Sequence, residues 1–168
     1  MLKKQDLNII TDRLFMRPIK KNDEELLWPH VTDPNITKYM AWSAHKDIKD
    51  TKWFVDNELN RLEQNRGVTW MIFFNYEFCG IVSIINLLFQ HRALTYNKGE
   101  LAYWLVTNQR KQGIMYEACY NVCKFAFDKL NLNKLVVSHF HQNKDSEKLI
   151  CRLNFRYIGK QKNEFFKD

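Results

Sequence analysis

No stretch of this chain is apolar over the roughly 18 residues that a membrane-spanning helix needs, which excludes a transmembrane anchor. Its first residues, Met-Leu-Lys-Lys-Gln-Asp-Leu-Asn, lack the apolar centre of a secretory leader, so a cytoplasmic location is the expectation. Repeats, low-complexity tracts and linkers long enough to divide domains are also lacking. The 168 residues therefore read as one domain spanning 1–168, large enough for a proper core.

None of the four cysteines, Cys79, Cys119, Cys123 and Cys151, forms a Cys-x-x-Cys pair. Cys119 and Cys123 stand four apart on an expected helix and so share a face. With no matching histidine pair to complete a metal site, they read as buried free thiols, and no metal is expected. His139 and His141 alternate on an expected strand and face one side as polar residues. The net charge is +7 and the pI is near 9.2. That excess suits an acidic protein, a nucleic acid or a polyphosphate ligand. The basic residues are scattered, and no helix-turn-helix, zinc-finger or RNP motif is present, so nucleic acid is not the expected partner.

The informative segment is Arg110 to Ala118, Arg-Lys-Gln-Gly-Ile-Met-Tyr-Glu-Ala. It follows a strand-like run over 100–106 and opens an apolar helix over 114–130. The first N–H groups of a helix lack internal partners, and the helix dipole adds positive charge there. A phosphate fits such a place. Gly113 permits close approach to the backbone, and Arg110 and Lys111 add charge.

Elsewhere, periodicity predicts a strand over 7–18 and a short helix from Asp23, with a capping arrangement of Asn22 and Glu25. Pro29 and Pro34 are expected to break that helix into a loop. A second helix is predicted over 47–64, with Ile48, Val55, Leu59 and Leu62 as its apolar stripe and Gly67 as its stop. Strands over 68–74 and 78–87 form a hairpin around Asn75, Tyr76 and Glu77. A polar loop over 88–99, a strand over 134–140, a short helix over 145–153 and a last strand from Phe155 complete the prediction. Early helices with antiparallel strands, then two strand–helix units, make an α+β fold, a mixed α/β sheet.

The segment around Gly113 resembles the acyl-CoA pyrophosphate loop of the GNAT (GCN5-related N-acetyltransferase) superfamily: Arg or Gln, two residues, Gly, one residue, Gly or Ala. Arg110, Gly113 and Met115 occupy its defined positions, and Met115 departs from the pattern. Asn143, Ser146, Ile150, Asn154 and Phe155 stand at the spacing of the family's Asn-x-x-Ser segment. Thr11-Asp-Arg-Leu-Phe-Met-Arg-Pro18 resembles the opening of the Rim-type branch, which acetylates ribosomal-protein N-termini, and Glu117-Ala118 is also typical of it. The resemblance implies the GNAT fold, with splayed central strands and the cofactor in the gap. Only nine residues follow Gly159, so the family's last strand is truncated, missing or supplied by a second copy in a homodimer.

Acetyl transfer from acetyl-CoA to an amine needs a neutral amine, a held carbonyl, and help for the leaving thiolate. The resemblance places Leu105 and Val106 beside the pantetheine arm and the N–H groups from Lys111 through Gln112, Gly113, Ile114 and Met115 at the pyrophosphate. Asn143 is assigned a pantetheine amide, with helix capping as the alternative. Many relatives carry Tyr where this chain has Ile150. Ser146 is then the candidate hydrogen-bond partner of the sulfur, with a packing role as the alternative. Glu100 is the candidate base, or else a solvated strand-end acid. Asn154 replaces a family glycine and tolerates left-handed φ. The acceptor is expected to be a protein N-terminal Ser or Ala amine. The alternatives are a small-molecule amine (aminoglycoside, polyamine or amino sugar) and a non-catalytic CoA-binding module.

Overall fold

The computed structural model describes Leu2 and residues 6–162. They form one six-stranded mixed sheet in the order β1-β2-β3-β4-β5-β6. The strands are β1 (Ile9–Ile10), β2 (Leu14–Pro18), β3 (Val68–Phe74), β4 (Glu77–His91), β5 (Leu94–Leu105) and β6 (Lys134–Val137). The helices are α1 (Glu24–Val31), α2 (Pro34–Thr37), α3 (Ile48–Glu63), α4 (Ile114–Asp128) and α5 (Lys144–Arg152). All pairings are antiparallel except β5 with β6.

Side-chain alternation divides the sheet into two faces. Trp70, Ile72, Val82, Ile84 and Leu101 join α4's Ile114, Ala118, Cys119, Val122 and Ala126 in one core. Met71, Ile81, Trp104 and Val106 join Leu27 and Val31 of α1 and Val55 of α3 in the other. Trp70 is fully buried, donates its indole N–H to the Leu7 carbonyl at 2.6 Å, and meets Phe125 edge-on at 5.5 Å. That single residue ties the N-terminal segment, the sheet and α4 together.

Several sequence expectations need correction. The strand expected over 7–18 is broken at Thr11, whose hydroxyl accepts from the N–H of Leu14 at 2.8 Å while its own N–H donates to the Leu14 carbonyl at 2.9 Å. This turn folds β1 back on β2. The α1 cap is Asp23, not Asn22, and its carboxylate makes no capping bond. It accepts instead from Arg17 through two bonds of 2.7 Å and from the Lys20 N–H at 2.6 Å. Pro29 lies inside α1 without ending it. Pro34 opens α2 behind an Asp33 cap, since a missing N–H costs nothing at a first helical position.

The segment expected as a polar loop over 88–99 is instead the end of a long β4–β5 hairpin, pairing Leu88 with Lys98, Gln90 with Thr95 and His91 with Leu94. Backbone pairing holds this exposed arm whatever its side chains. Strand β6 stops at Val137, so His139 and His141 lie beyond it and are exposed. Residues 155–159 form no strand, nor does any described residue after β6. The family's last strand therefore does not occur among the described residues, and 163–168 fall outside them.

Helix α3 falls within the predicted 47–64, and Asp47 caps it in a reciprocal capping box with Asp50. Its buried face differs from the expected stripe. Ile48 is 43% exposed, whereas Thr51, Val55 and Glu58 are buried. The left-handed stop is Asn65. Gly67 serves close approach instead, because a Cβ there would stand 2.6 Å from the Ile84 carbonyl oxygen.

Glu58 is 4% exposed, and both of its carboxylate oxygens have partners. It accepts from Arg61 at 2.6 Å and from the Thr69 hydroxyl at 2.6 Å, and Thr69 in turn meets Ser83 at 2.7 Å. The network fixes α3 over β3 and β4. Glu58→Ala should lower stability by about 2 kcal/mol, the worth of hydrogen bonds to a buried charge. A denaturation midpoint equal to wild type would show the network to be dispensable.

Candidate active site

Strands β5 and β6 pair only from Lys98 with Lys134 to Leu101 with Val137. Beyond that point β6 ends while β5 continues to Leu105. The sheet therefore opens a gap between a strand that continues and one that has stopped. The basic turn, α4 and α5 surround this gap because the chain reaches them directly from β5 and β6.

A short 3₁₀ turn (Thr107–Gln109) leads from β5 into the basic turn. Lys111 and Gly113 both adopt left-handed conformations, with φ of 63° and 77°. Such turns gather N–H groups into an anion-binding concavity. Gly113 is the N-cap of α4, and no side chain caps the helix. A Cβ at Gly113 would meet only the Arg13 guanidinium, at 3.5 Å. The approach to the helix start is thus open and flanked by positive charge. Ile114 and Met115 are buried in the core. The Met115 side chain points inward, so its bulk at the family's Gly/Ala position is taken up by the core. Arg110 donates to the Asn35 carbonyl at 3.2 Å and so fastens the turn to α2.

The N-terminal motif and the turn motif are joined by an ion pair. Arg13 donates to Glu117 through Nε at 2.7 Å, with a second nitrogen at 2.6 Å, and to the Gln112 carbonyl at 3.1 Å. The Thr11 hydroxyl donates to the other Glu117 oxygen at 2.5 Å. Burial pushes the Glu117 carboxyl up, but the hydrogen bonds of Thr11 and Arg13 and the charge of Arg13 outweigh it and leave the pKa below the usual value. The sequence marked these residues as motif positions without showing that they touch.

Across the gap, Asn143 caps α5, accepting from the Ser146 N–H at 3.1 Å. The capping alternative is what the side-chain oxygen does. Ser146 meets the Tyr103 hydroxyl at 2.8 Å. Tyr103 was missed in the sequence, where it read as one more apolar strand residue. Its alternation with Leu101 and Leu105 puts it on the α4 face. Glu100 shares the parity of Trp104 and so faces the opposite side, toward α1 and α3. It is not at a strand end. It pairs with Ile85 and Val136, one residue before β5 and β6 part, and accepts from Asn86 at 2.9 Å. Leu105 ends β5 on the stretch that β6 no longer pairs, and Val106 just beyond it donates its N–H to the Cys79 carbonyl at 2.7 Å.

Among the described residues, no group of His, Cys, Asp and Glu could hold a metal ion. Burial raises the thiol pKa of both Cys119 and Cys123, to about 11 for Cys123, so neither is a nucleophile at neutral pH. Among the described residues, no helix is long and apolar enough to cross a membrane.

Comparison with known proteins agrees with this geometry. The acetyltransferase (GNAT) domain matches residues 13–156. The uncharacterized N-acetyltransferase p20 of Bacillus licheniformis is 26% identical over 153 residues, covering 90% of this chain and 83% of that protein. The fold is that of the ribosomal alpha-N-protein acetyltransferase RimL in complex with coenzyme A, with TM-score 0.85, 16% identity, and 94% and 88% of the two chains covered. It is also that of spermidine N-acetyltransferase from Vibrio cholerae in complex with CoA and spermine, with TM-score 0.80, 15% identity, and 94% and 89% covered. The chain belongs to the GNAT acetyltransferase family and is an acetyl-CoA-dependent N-acetyltransferase.

Glu117→Ala should weaken coenzyme A binding about tenfold in calorimetry, since a lost charge-assisted hydrogen bond is worth roughly 1.5 kcal/mol. Unchanged affinity would show that the turn keeps its shape unaided. Because the Glu117 pKa is depressed in the folded state, its contribution to stability is full above the ordinary glutamate range and is lost as pH falls through the folded value. The Tm difference between wild type and Glu117→Gln should close over that acidic window. Gly113→Glu should abolish the rise in Tm that acetyl-CoA produces, and a preserved rise would relocate the phosphate site.

Proposed function

We propose that this acetyltransferase acts on the α-amine of a protein N-terminus that begins with Ser or Ala. The observation that carries the reading is the charge of the acceptor region, residues 28–53 and 88–98. Its only acids are Asp33, Asp47 and Asp50, set against Lys38, Lys46, Lys49, Lys52, Arg92 and Lys98. All three acids are engaged at helix starts. Asp33 accepts from the Asn35 N–H at 2.8 Å and from Thr107 at 3.1 Å. Asp47 accepts from the Lys49 N–H at 2.8 Å, and Asp50 from the N–H groups of Lys46 and Asp47 at 3.0 and 3.2 Å. A polyamine or aminoglycoside carries several charges that call for several free carboxylates. A peptide N-terminus presents one amine, and a basic rim suits a neutral or acidic peptide. The RimL structure, whose protein is described as a ribosomal alpha-N-protein acetyltransferase, supports the same class by likeness of fold.

In this reading the two sides of the sheet divide the work. The N–H groups from Lys111 to Met115, together with Arg110 and Lys111, hold the pyrophosphate. Leu105, Val106 and Asn143 accompany the pantetheine arm, with Asn143 using the amide nitrogen that its capping bond leaves free. Glu100, on the α1–α3 face, takes the ammonium proton directly or through water. The neutral amine attacks the thioester carbonyl, the C–S bond breaks with its electron pair passing to sulfur, the proton shed by the new amide nitrogen passes through water to that thiolate, and Ser146, on the α4 face, hydrogen-bonds the sulfur. An α-amine suits a site with a single candidate base, because its reference pKa is about 8 against about 10.4 for lysine.

Two measurements test the reading. Offered Ser- or Ala-starting peptides, lysine peptides with blocked N-termini, and polyamines or aminoglycosides at equal concentration, the enzyme should prefer the first group. A clear preference for a small-molecule amine would overturn the acceptor assignment and leave the acetyltransferase assignment intact. Glu100→Gln should shift the activity optimum to higher pH, where the amine is already neutral. An unaltered profile would point to another base or to none.

A further inference from the structure

The Tyr103–Ser146 contact spans the gap where β5 and β6 have stopped pairing. It joins a strand to the first turn of α5, and its members lie 43 residues apart in sequence. A serine hydroxyl has one hydrogen to donate and two lone pairs to accept with. In a helix it ordinarily turns that hydrogen back toward a carbonyl of the preceding turn. Such a serine cannot donate to anything else.

Tyr103 removes that freedom. A phenol is a stronger acid than an aliphatic hydroxyl and a poorer acceptor, so in this pair the phenol donates and the serine oxygen accepts. Ser146 is itself fixed, since its N–H is held by Asn143. With one lone pair filled by Tyr103, the serine hydrogen is left for another acceptor. We propose that Tyr103 is a positioning residue for acetyl transfer: its hydroxyl donates to Ser146 Oγ and thereby aims the Ser146 hydrogen at the sulfur of the departing thiolate. The inference rests on the reading of Ser146 as the group beside that sulfur.

Tyr103 transfers no proton in this role. Its hydrogen stays on the phenol while negative charge builds on sulfur, and donation to the serine oxygen makes the serine a stronger donor in turn. The environment keeps the phenol in its donating form. Burial, followed by the Cys119 and Cys123 thiols on α4, pushes its pKa far up, and the Ser146 bond only partly opposes them. The arrangement supplies a tyrosine hydroxyl from β5 in a chain where α5 offers Ile150.

The test is a double-mutant cycle of Tyr103→Phe and Ser146→Ala, with the chemical step shown to be rate-limiting. Tyr103→Phe should lower kcat about tenfold, the worth of one hydrogen bond near 1.4 kcal/mol, and leave KM for acetyl-CoA and its Tm shift unchanged. In the Ser146→Ala background the same change should have no further effect, because the two act as a unit. If both single variants lower kcat and their effects multiply, Tyr103 acts independently and the inference falls. If Ser146→Ala lowers kcat while Tyr103→Phe does not, the inference falls and the reading of Ser146 stands. If Ser146→Ala leaves kcat intact, both fall. Should Tyr103→Phe lose its cooperative unfolding, 3,5-difluorotyrosine at position 103 keeps the ring and makes the phenol more acidic. The alkaline limb of the kcat profile should then move to lower pH as the donor is lost. An unmoved limb overturns the inference.

Discussion

Arg13 and Glu117 lie 104 residues apart, yet their ion pair ties down the turn that is proposed to hold the cofactor's phosphates. A turn with left-handed residues at 111 and 113 is not rigid on its own. It is held at three points: Arg13 on the Gln112 carbonyl, Arg13 and Thr11 on Glu117 one turn into α4, and Arg110 on the Asn35 carbonyl. The first two come from the break between β1 and β2, and that break exists because Thr11 forms its own turn. Arg13 also lies over the Phe74 ring at 5.8 Å, which steadies a guanidinium whose side chain is 42% exposed. An exposed pair is ordinarily worth little. This one counts for geometry, because the groups it ties together line the anion site.

The second constraint is the parting of β5 from β6. It places residues of one strand on opposite sides of the sheet at the apex of the gap. Glu100 faces the α1–α3 side while Tyr103 and Leu105 face α4. On the roles proposed above, proton removal and thiolate stabilisation fall to groups on opposite faces of the sheet, which do not compete for the same space.

Much of this was legible in the sequence. Gly113, Ser146 and Thr11 through Pro18 stand in motif order, and the 3.6-residue period of α3 and α4 is plain. What periodicity could not show is what backbone pairing decides. The arm over 88–99 reads as polar loop because its tip, residues 90–95, is exposed, yet its backbone pairs across β4 and β5. The buried face of α3 carries Thr51 and Glu58, which a hydropathy pattern counts as solvent-facing; their partners explain their burial, His45 for Thr51, and Arg61 with the Thr69–Ser83 pair for Glu58. Tyr103 was invisible for a similar reason, since an aromatic in a strand looks like core until its hydroxyl is seen to have a partner.

The gap, the basic turn beside it and the contacts that hold that turn come from segments that the chain makes at very different times: residues 11–13, 100–117 and 143–146. No two of them are neighbours in sequence, so closing the site means closing long loops, which sets a slow entropic step late in folding. On the assignment proposed above, the cofactor's cradle is complete only when β1, β5 and α5 are all in place. Cofactor binding is therefore linked to the global folding equilibrium and draws population only from the complete structure. In a cell, the supply of acetyl-CoA would set not only how fast this enzyme works but how much of it survives proteolysis.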